Sequence, residues 1–194
     1  MDDYVIRAMA KWPDVPGVYG WLSLDCRGDW RIKGERLGHR KAVAFINRNY
    51  AADGSGCWYF QNGPQRVYVR LEYTPWVFRL SASDELNTHP AEGVESVEGV
   101  FLDHQGNLLL NTAKGIGLMD DRDLDALSAH LDMIQGGADA QRVEAAITET
   151  QAGRPRNLVL NWRGRSWGVG HVKRAAVASH FGFNPNPNGE NGTS

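Results

Sequence analysis

Residues 57–81, CWYFQNGPQRVYVRLEYTPWVFRLS, alternate apolar and polar side chains with a period of two, and this constrains the fold more than any other stretch. Val67, Val69, Leu71 and Tyr73 fall on one side of an extended chain, and Arg66, Tyr68, Arg70 and Glu72 fall on the other. A helix would scatter both sets around its axis. Asn62-Gly63-Pro64 interrupts the alternation with the residues of a tight turn, Gly63 supplying a positive φ and Pro64 fixing the next one. Thr74-Pro75 ends the second strand, after which Trp76, Phe78 and Leu80 begin a third. The pattern predicts three consecutive strands with one apolar face turned to a core.

Three further turns share one motif: LDCRGDW from Leu24, LDHQGNL from Leu102 and LNWRGRSW from Leu160. In each, Asp or Asn stands three residues before Gly, as in a type I turn whose first side chain accepts from nearby backbone N–H groups. Each predicts a hairpin, and each is followed by a helical period. Ala42, Val43, Ile46 and Tyr50 share a face over 39–51, and Leu124, Leu127, Leu131 and Ile134 share one over 121–135. Val172, Ala175, Ala176 and Phe181 do so over 172–181. A further helix is expected over 139–151, ended by Gly153-Arg154-Pro155. Asp120 and Asp123 read as an N-cap with a first-turn acid, a more economical account of DDRDLD than a metal cluster.

The expected fold class is α+β: a mainly antiparallel sheet built from repeated hairpin-then-helix units packed against amphipathic helices. Residues 1–183 are expected to form one domain, with two lobes meeting near 82–98 as the alternative. Residues 184–194, NPNPNGENGTS with the first Asn at 184, read as a disordered tail.

A chain of 194 residues, 42% hydrophobic and 23% charged, supports a sizeable core. No apolar run approaches the roughly 20 residues that span a bilayer. MDDYVIRAMAKWPD opens with acids where a signal peptide carries base, so a cytoplasmic protein is expected. Cys26 and Cys57 are too few for a zinc site or disulfide framework and read as free thiols. The net charge of −2 divides into +4 over 1–83, −11 over 84–149 and +5 over 150–194. Such a division suits either separate poles or faces that neutralise each other on folding.

Chemistry concentrates in two places. Gln61, Asn62, Gln65, Arg66, Tyr68, Arg70 and Glu72 crowd planar donors and acceptors onto one hairpin, more than a solvated face requires, and are the candidate ligand-binding set. Arg66 or Arg70 would grip a carboxylate or phosphate bidentately. The second place, 154–174, holds Arg154, Arg156, Arg163, Arg165, Lys173 and Arg174 with no acid between Glu149 and Glu190. Arg156, Trp162, Arg163, Arg165, Trp167 and Lys173 are the candidates there for single-stranded nucleic acid, cations holding phosphates and rings stacking on bases. The competing reading makes the tryptophans core and pairs the arginines with the acidic middle.

An enzyme acting on an anionic small molecule would bind it through Arg66 and use Glu72 or His104 as acid or base. No nucleophile supports that reading: Ser55 in DGSGC misses the G-x-S-x-G pattern. His39, His89, His130, His171 and His180 lack ligand spacing, so no metal is expected, and AKGIG at 113–117 is too sparse a glycine pattern for a cofactor loop. No cofactor is implied.

FQNGPQRVYVRLEYTPW resembles stretches in a family of uncharacterised bacterial proteins of about this length. The resemblance covers the first two thirds of the chain and implies a bacterial cytosolic setting, with no activity or site residue attached. The sequence therefore predicts a non-catalytic accessory protein that binds a small anionic ligand or a protein partner.

Overall fold

The structure is a computed structural model that describes residues 1–137, 139–154 and 157–189. The chain divides into two units, Met1–Pro75 with the stretch from Gly182 onward, and Trp76–Phe181.

The first unit runs α1 (Asp3–Lys11), β1 (Val18–Leu24), β2 (Trp30–Ile32), β3 (Glu35–Arg36), α2 (Arg40–Arg48), β4 (Tyr50–Ala52), β5 (Trp58–Asn62) and β6 (Gln65–Leu71). Its sheet has the order β3-β2-β1-β6-β5-β4. Two antiparallel meanders of three strands are joined by one parallel pairing, β1 with β6. Leu22, Leu24, Trp30, Ile46, Val69 and Leu71 are buried in this unit. The stretch from Gly182 returns to it: Asn184 N–H donates to the Gly56 carbonyl and Leu71 N–H to the Pro185 carbonyl, both at 2.9 Å. Residues 184 and 185 are thus fixed by backbone bonds; 190–194 lie outside the described residues.

The second unit runs β7 (Trp76–Leu80), β8 (Leu86–Thr88), β9 (Val97–Leu102), β10 (Leu108–Thr112), β11 (Gly115–Met119), α3 (Leu124–Ser128) and β12 (Leu131–Met133). It continues with α4 (Ala140–Gln151), β13 (Leu158–Trp162), β14 (Arg165–His171), a 3-10 turn (Arg174–Ala176) and α5 (Val177–Phe181). The order is β12-β13-β14-β9-β10-β11-β7-β8, with parallel pairings β14–β9 and β11–β7.

The plan β3-β2-β1-β6-β5-β4 recurs in the second unit as β11-β10-β9-β14-β13-β12, and the registers agree as well as the order. Leu22 pairs with Val69 and Leu24 with Leu71; Val100 pairs with Val169 and Leu102 with His171. Tyr50 opposes Phe60 as Leu131 opposes Leu160. Gln61 N–H donates to the Asn49 carbonyl and Asn161 N–H to the His130 carbonyl, each at 2.9 Å. The Leu-Asp-x-x-Gly turns match atom for atom: Asp25 Oδ1 accepts from the N–H groups of Arg27 and Asp29, and Asp103 Oδ1 from those of Gln105 and Asn107. One six-stranded plan is present twice.

This corrects several expectations. The fold is α+β, but its sheets are mixed, because the strands that close each plan are distant in sequence and pair in parallel, which turn chemistry does not report. A helix follows each of the three hairpins, but the plan they belong to recurs twice and not three times. The hairpin from Leu160 occupies the place of β5–β6, and its turn has Arg163 (φ 50°) and Gly164 (φ 71°) at its centre instead of an Asn-headed type I turn. The β5–β6 turn is centred on Gly63-Pro64, with Asn62 already paired to Gln65. The helix expected over 121–135 stops at Ser128, and Leu131–Met133 becomes strand β12. Asp120 does not cap that helix: its buried carboxylate binds Arg122 and faces Arg79.

Candidate functional site

Strand pairing places the candidate hairpin residues on two faces. Tyr59 lies opposite Tyr68 and Gln61 opposite Arg66, so these four share the face turned away from Phe60, Val67 and Val69. The stretch that follows α1 lies against it. Gln65 Nε2 donates to the Pro16 carbonyl at 3.3 Å, and Gly17 approaches Tyr68 so closely that an added Cβ would meet the ring at 2.8 Å. Between hairpin and stretch is a cavity of about 350 Å³, whose walls include Trp12, Gly17, Tyr19, Gln61, Arg66 and Tyr68.

The walls are aromatic and carry one cation. Tyr19 and Tyr68 stack with centroids 4.5 Å apart, and the Arg66 guanidinium lies 4.7 Å over the Tyr59 ring. The Tyr68 hydroxyl donates to Asp53 Oδ2 at 3.2 Å. Its interaction with that hydroxyl holds Arg66 above the ordinary arginine value, and burial raises the Tyr68 hydroxyl, so the phenol stays protonated at neutral pH. Burial pushes the Asp53 carboxyl up, but hydrogen bonds from Ser55, Cys57 and Tyr68 outweigh it and leave the group below its ordinary value. The Tyr68 hydroxyl thus ends on a carboxylate, while Arg66 makes no ion pair among the described residues.

Gln61 is 1% exposed. Its Nε2 donates to the Gly63 carbonyl at 2.9 Å, which fixes the orientation of the amide, and its Oε1 accepts no hydrogen bond among the described residues. A buried acceptor without a donor costs about 1–3 kcal/mol.

Of the sequence candidates, Gln61, Arg66 and Tyr68 line this cavity, and Gln65 ties down its cover. Asn62 and Arg70 are exposed at other points of the hairpin, and a Glu72 carboxylate oxygen accepts from the Cys26 N–H at 3.3 Å. The acid-base set Arg66, Glu72 and His104 is not gathered in the cavity, because only Arg66 lines it. Trp12, Tyr19 and Asp53 were missed; PDVPG at 13–17, with its turn-forming residues, was the available sign that the chain doubles back after α1.

In the basic segment, Trp162, Arg163, Arg165 and Trp167 line a cavity of about 420 Å³ with Glu95 and Ser96. The Trp162 indole donates to Asp84 at 2.7 Å and the Trp167 indole to the Val97 carbonyl at 2.9 Å. Lys173 is exposed ahead of the 3-10 turn and is not a wall of this cavity, and Arg156 lies outside the described residues. Among the described residues no three His, Cys, Asp or Glu side chains converge as metal ligands, and no helix is long and apolar enough to cross a membrane.

Residues 1–188 match the family described as a protein of unknown function (DUF2946), and the chain belongs to that family. Among solved structures it is similar to a DUF1285 family protein from Silicibacter pomeroyi DSS-3, at 13% identity over 80% of this chain and 82% of that one, with a TM-score of 0.53. That likeness concerns the fold alone. A DUF1285 family protein from Shewanella baltica OS155 matches at 17% identity over 54% of this chain and 87% of that one, with a TM-score of 0.40. No curated protein matches the sequence. The function of the family is unknown, in keeping with the resemblance drawn from residues 60–76.

Proposed function

We propose that the protein is a non-catalytic binding protein whose first unit takes a small planar anion in the cavity beside β5–β6. The observation that carries this reading is the convergence of an arginine without an ion-pair partner, two stacked tyrosines and a tryptophan on one cavity. Small-ligand sites combine aromatic and apolar side chains with a few placed polar groups, and here Trp12, Tyr19 and Tyr68 supply the rings beside Gln61 and Arg66. Arg66 receives the anion, Trp12, Tyr19 and Tyr68 receive the ring, and the acceptor of Gln61 favours a ligand that also carries a donor. 4-Hydroxybenzoate has all three features and is a direct probe. Calorimetric titration is expected to show binding that weakens at least tenfold in Arg66→Gln, with the fold retained. Absence of binding by this probe and by a panel of planar carboxylates, or equal affinity in Arg66→Gln, would reject the assignment.

A further inference from the structure

The β13–β14 hairpin occupies the place of β5–β6 in the second unit, and its cavity is built on the other face. Trp162 pairs with Arg165 and Leu160 with Trp167, so both tryptophans and Arg165 are on the side of the fully buried Leu160. Arg163, at the turn, closes the same cavity and lies 5.7 Å over the Trp162 ring. We infer that this cavity is a second ligand site, selective for a phosphate carried on a planar ring, as in a nucleoside monophosphate.

Three observations support the assignment. Neither Arg163 nor Arg165 makes an ion pair or side-chain hydrogen bond among the described residues, although Glu95 borders the same cavity. Two guanidiniums in one cavity match a phosphate dianion, each offering a planar fork of donors. The indole N–H groups of both tryptophans are already engaged, which fixes the rings as walls and leaves the part-exposed Trp167 face for stacking. Finally, Arg163 is held at φ 50°, where a two-residue hairpin ordinarily uses Asn, Asp or Gly. An unfavourable residue at that position keeps a guanidinium above the Trp162 ring. Glu95, which also lines the cavity, is the acceptor available to an exocyclic amine of the ring.

The inference is independent of the first cavity, and Arg66→Gln serves as its control. Adenosine 5′-monophosphate, adenosine, inorganic phosphate and a ten-nucleotide dT strand are titrated into the full chain, followed by calorimetry and tryptophan fluorescence. The monophosphate is expected to bind at least tenfold more tightly than adenosine or phosphate alone and to quench fluorescence. The quench should be lost in Trp167→Phe and kept in Arg66→Gln. Arg163→Gly removes the guanidinium while relieving the backbone, so affinity should fall about tenfold while the melting temperature rises; Arg165→Gln should lose a similar factor. Three results would overturn the inference: no preference for the monophosphate, unchanged affinity in both arginine variants, or binding of the strand alone. The last would mark an extended nucleic-acid groove instead.

Discussion

On its outward face the β5–β6 hairpin carries Tyr59, Gln61, Arg66 and Tyr68; the matching positions of β13–β14 carry Val159, Asn161, Ser166 and Gly168. Backbone pairing is the same in both, residue for residue. The first set is large and is covered by the stretch after α1, whereas Asn161, Ser166 and Gly168 are exposed and Ser166 simply donates to Asn161 at 2.6 Å. On the inward face the contrast reverses, Asn62, Gln65 and Val67 standing where the second unit has Trp162, Arg165 and Trp167. A duplicated plan thus holds its backbone and relocates its side-chain chemistry from one face to the other. This is possible because a strand offers its two faces independently.

The comparison is broken most severely at the shared aspartate turns. Asp103 is fully buried and accepts from two backbone N–H groups and the Asn107 side chain, while Asp25 accepts from two N–H groups and the half-exposed Arg31. Asp103→Ala should cost about 3 kcal/mol and Asp25→Ala about 2 kcal/mol in urea unfolding, since each strands donors that a charged acceptor satisfied. Equal losses would show that the two turns contribute alike despite their different burial.

The second unit adds β7 and β8 beyond the shared plan, and Gly117 on β11 leaves room for the Phe78 ring of β7. An added Cβ would come 2.3 Å from the Phe78 ring, which is fully buried. Gly117→Ala should therefore destabilise by about 2 kcal/mol through overpacking. A neutral result would mean that the added strands repack freely.

Gly63 and Arg163 occupy the same turn position at φ 58° and 50°. Nothing lies within 4 Å of a Cβ added at Gly63. Gly63→Ala should thus cost about 1 kcal/mol from backbone strain alone, and Arg163→Gly should gain a similar amount. The two melting shifts should have opposite signs.

The mildest test is acid. Among the described residues Asp2 and Asp53 in the first unit and Asp120 in the second are displaced downward, Asp2 chiefly by its hydrogen bond from Arg48 at the surface. For Asp120, burial pushes the carboxyl up, but hydrogen bonds from Arg122 with the charges of Arg122 and Arg79 outweigh it. A depressed folded-state value gives stability that is complete above the ordinary aspartate value of 3.8 and is lost as pH falls through the lower folded value. Stability should be flat around neutrality and fall below about pH 4. Asp53→Asn or Asp120→Asn should each remove part of that acid slope, as read by denaturant midpoints from pH 2 to 7.

Much of the architecture was legible because it is local. Alternation marked β5, β6 and β7, and Asp with Gly three residues later marked β1–β2 and β9–β10, where the side chain and its N–H partners lie within five residues. The helix at α4 was legible from its period and from the Gly153-Arg154-Pro155 end; the structure adds that the Asp139 carboxylate caps it, accepting from the Arg142 N–H. Strand β12 was not, since Leu131 fits a helical face as well as it fits a pairing with Leu160, 29 positions away. Gln61, Arg66 and Tyr68 stood out as polar groups on a strand, but nothing near them in sequence announced Trp12 or Tyr19.

The sequence by itself determined where the hairpin turns fall, that β5, β6 and β7 extend, and which polar groups gather on the β5–β6 hairpin, because period and turn chemistry act over a few bonds. Only the tertiary structure decided that β1 closes on β6 and β9 on β14, that the two closures share a register, and which face of each hairpin is covered. Those outcomes depend on pairings between segments 40 to 70 residues apart. There the register is selected by burying Leu22 with Val69 and Val100 with Val169, and no local preference encodes that choice.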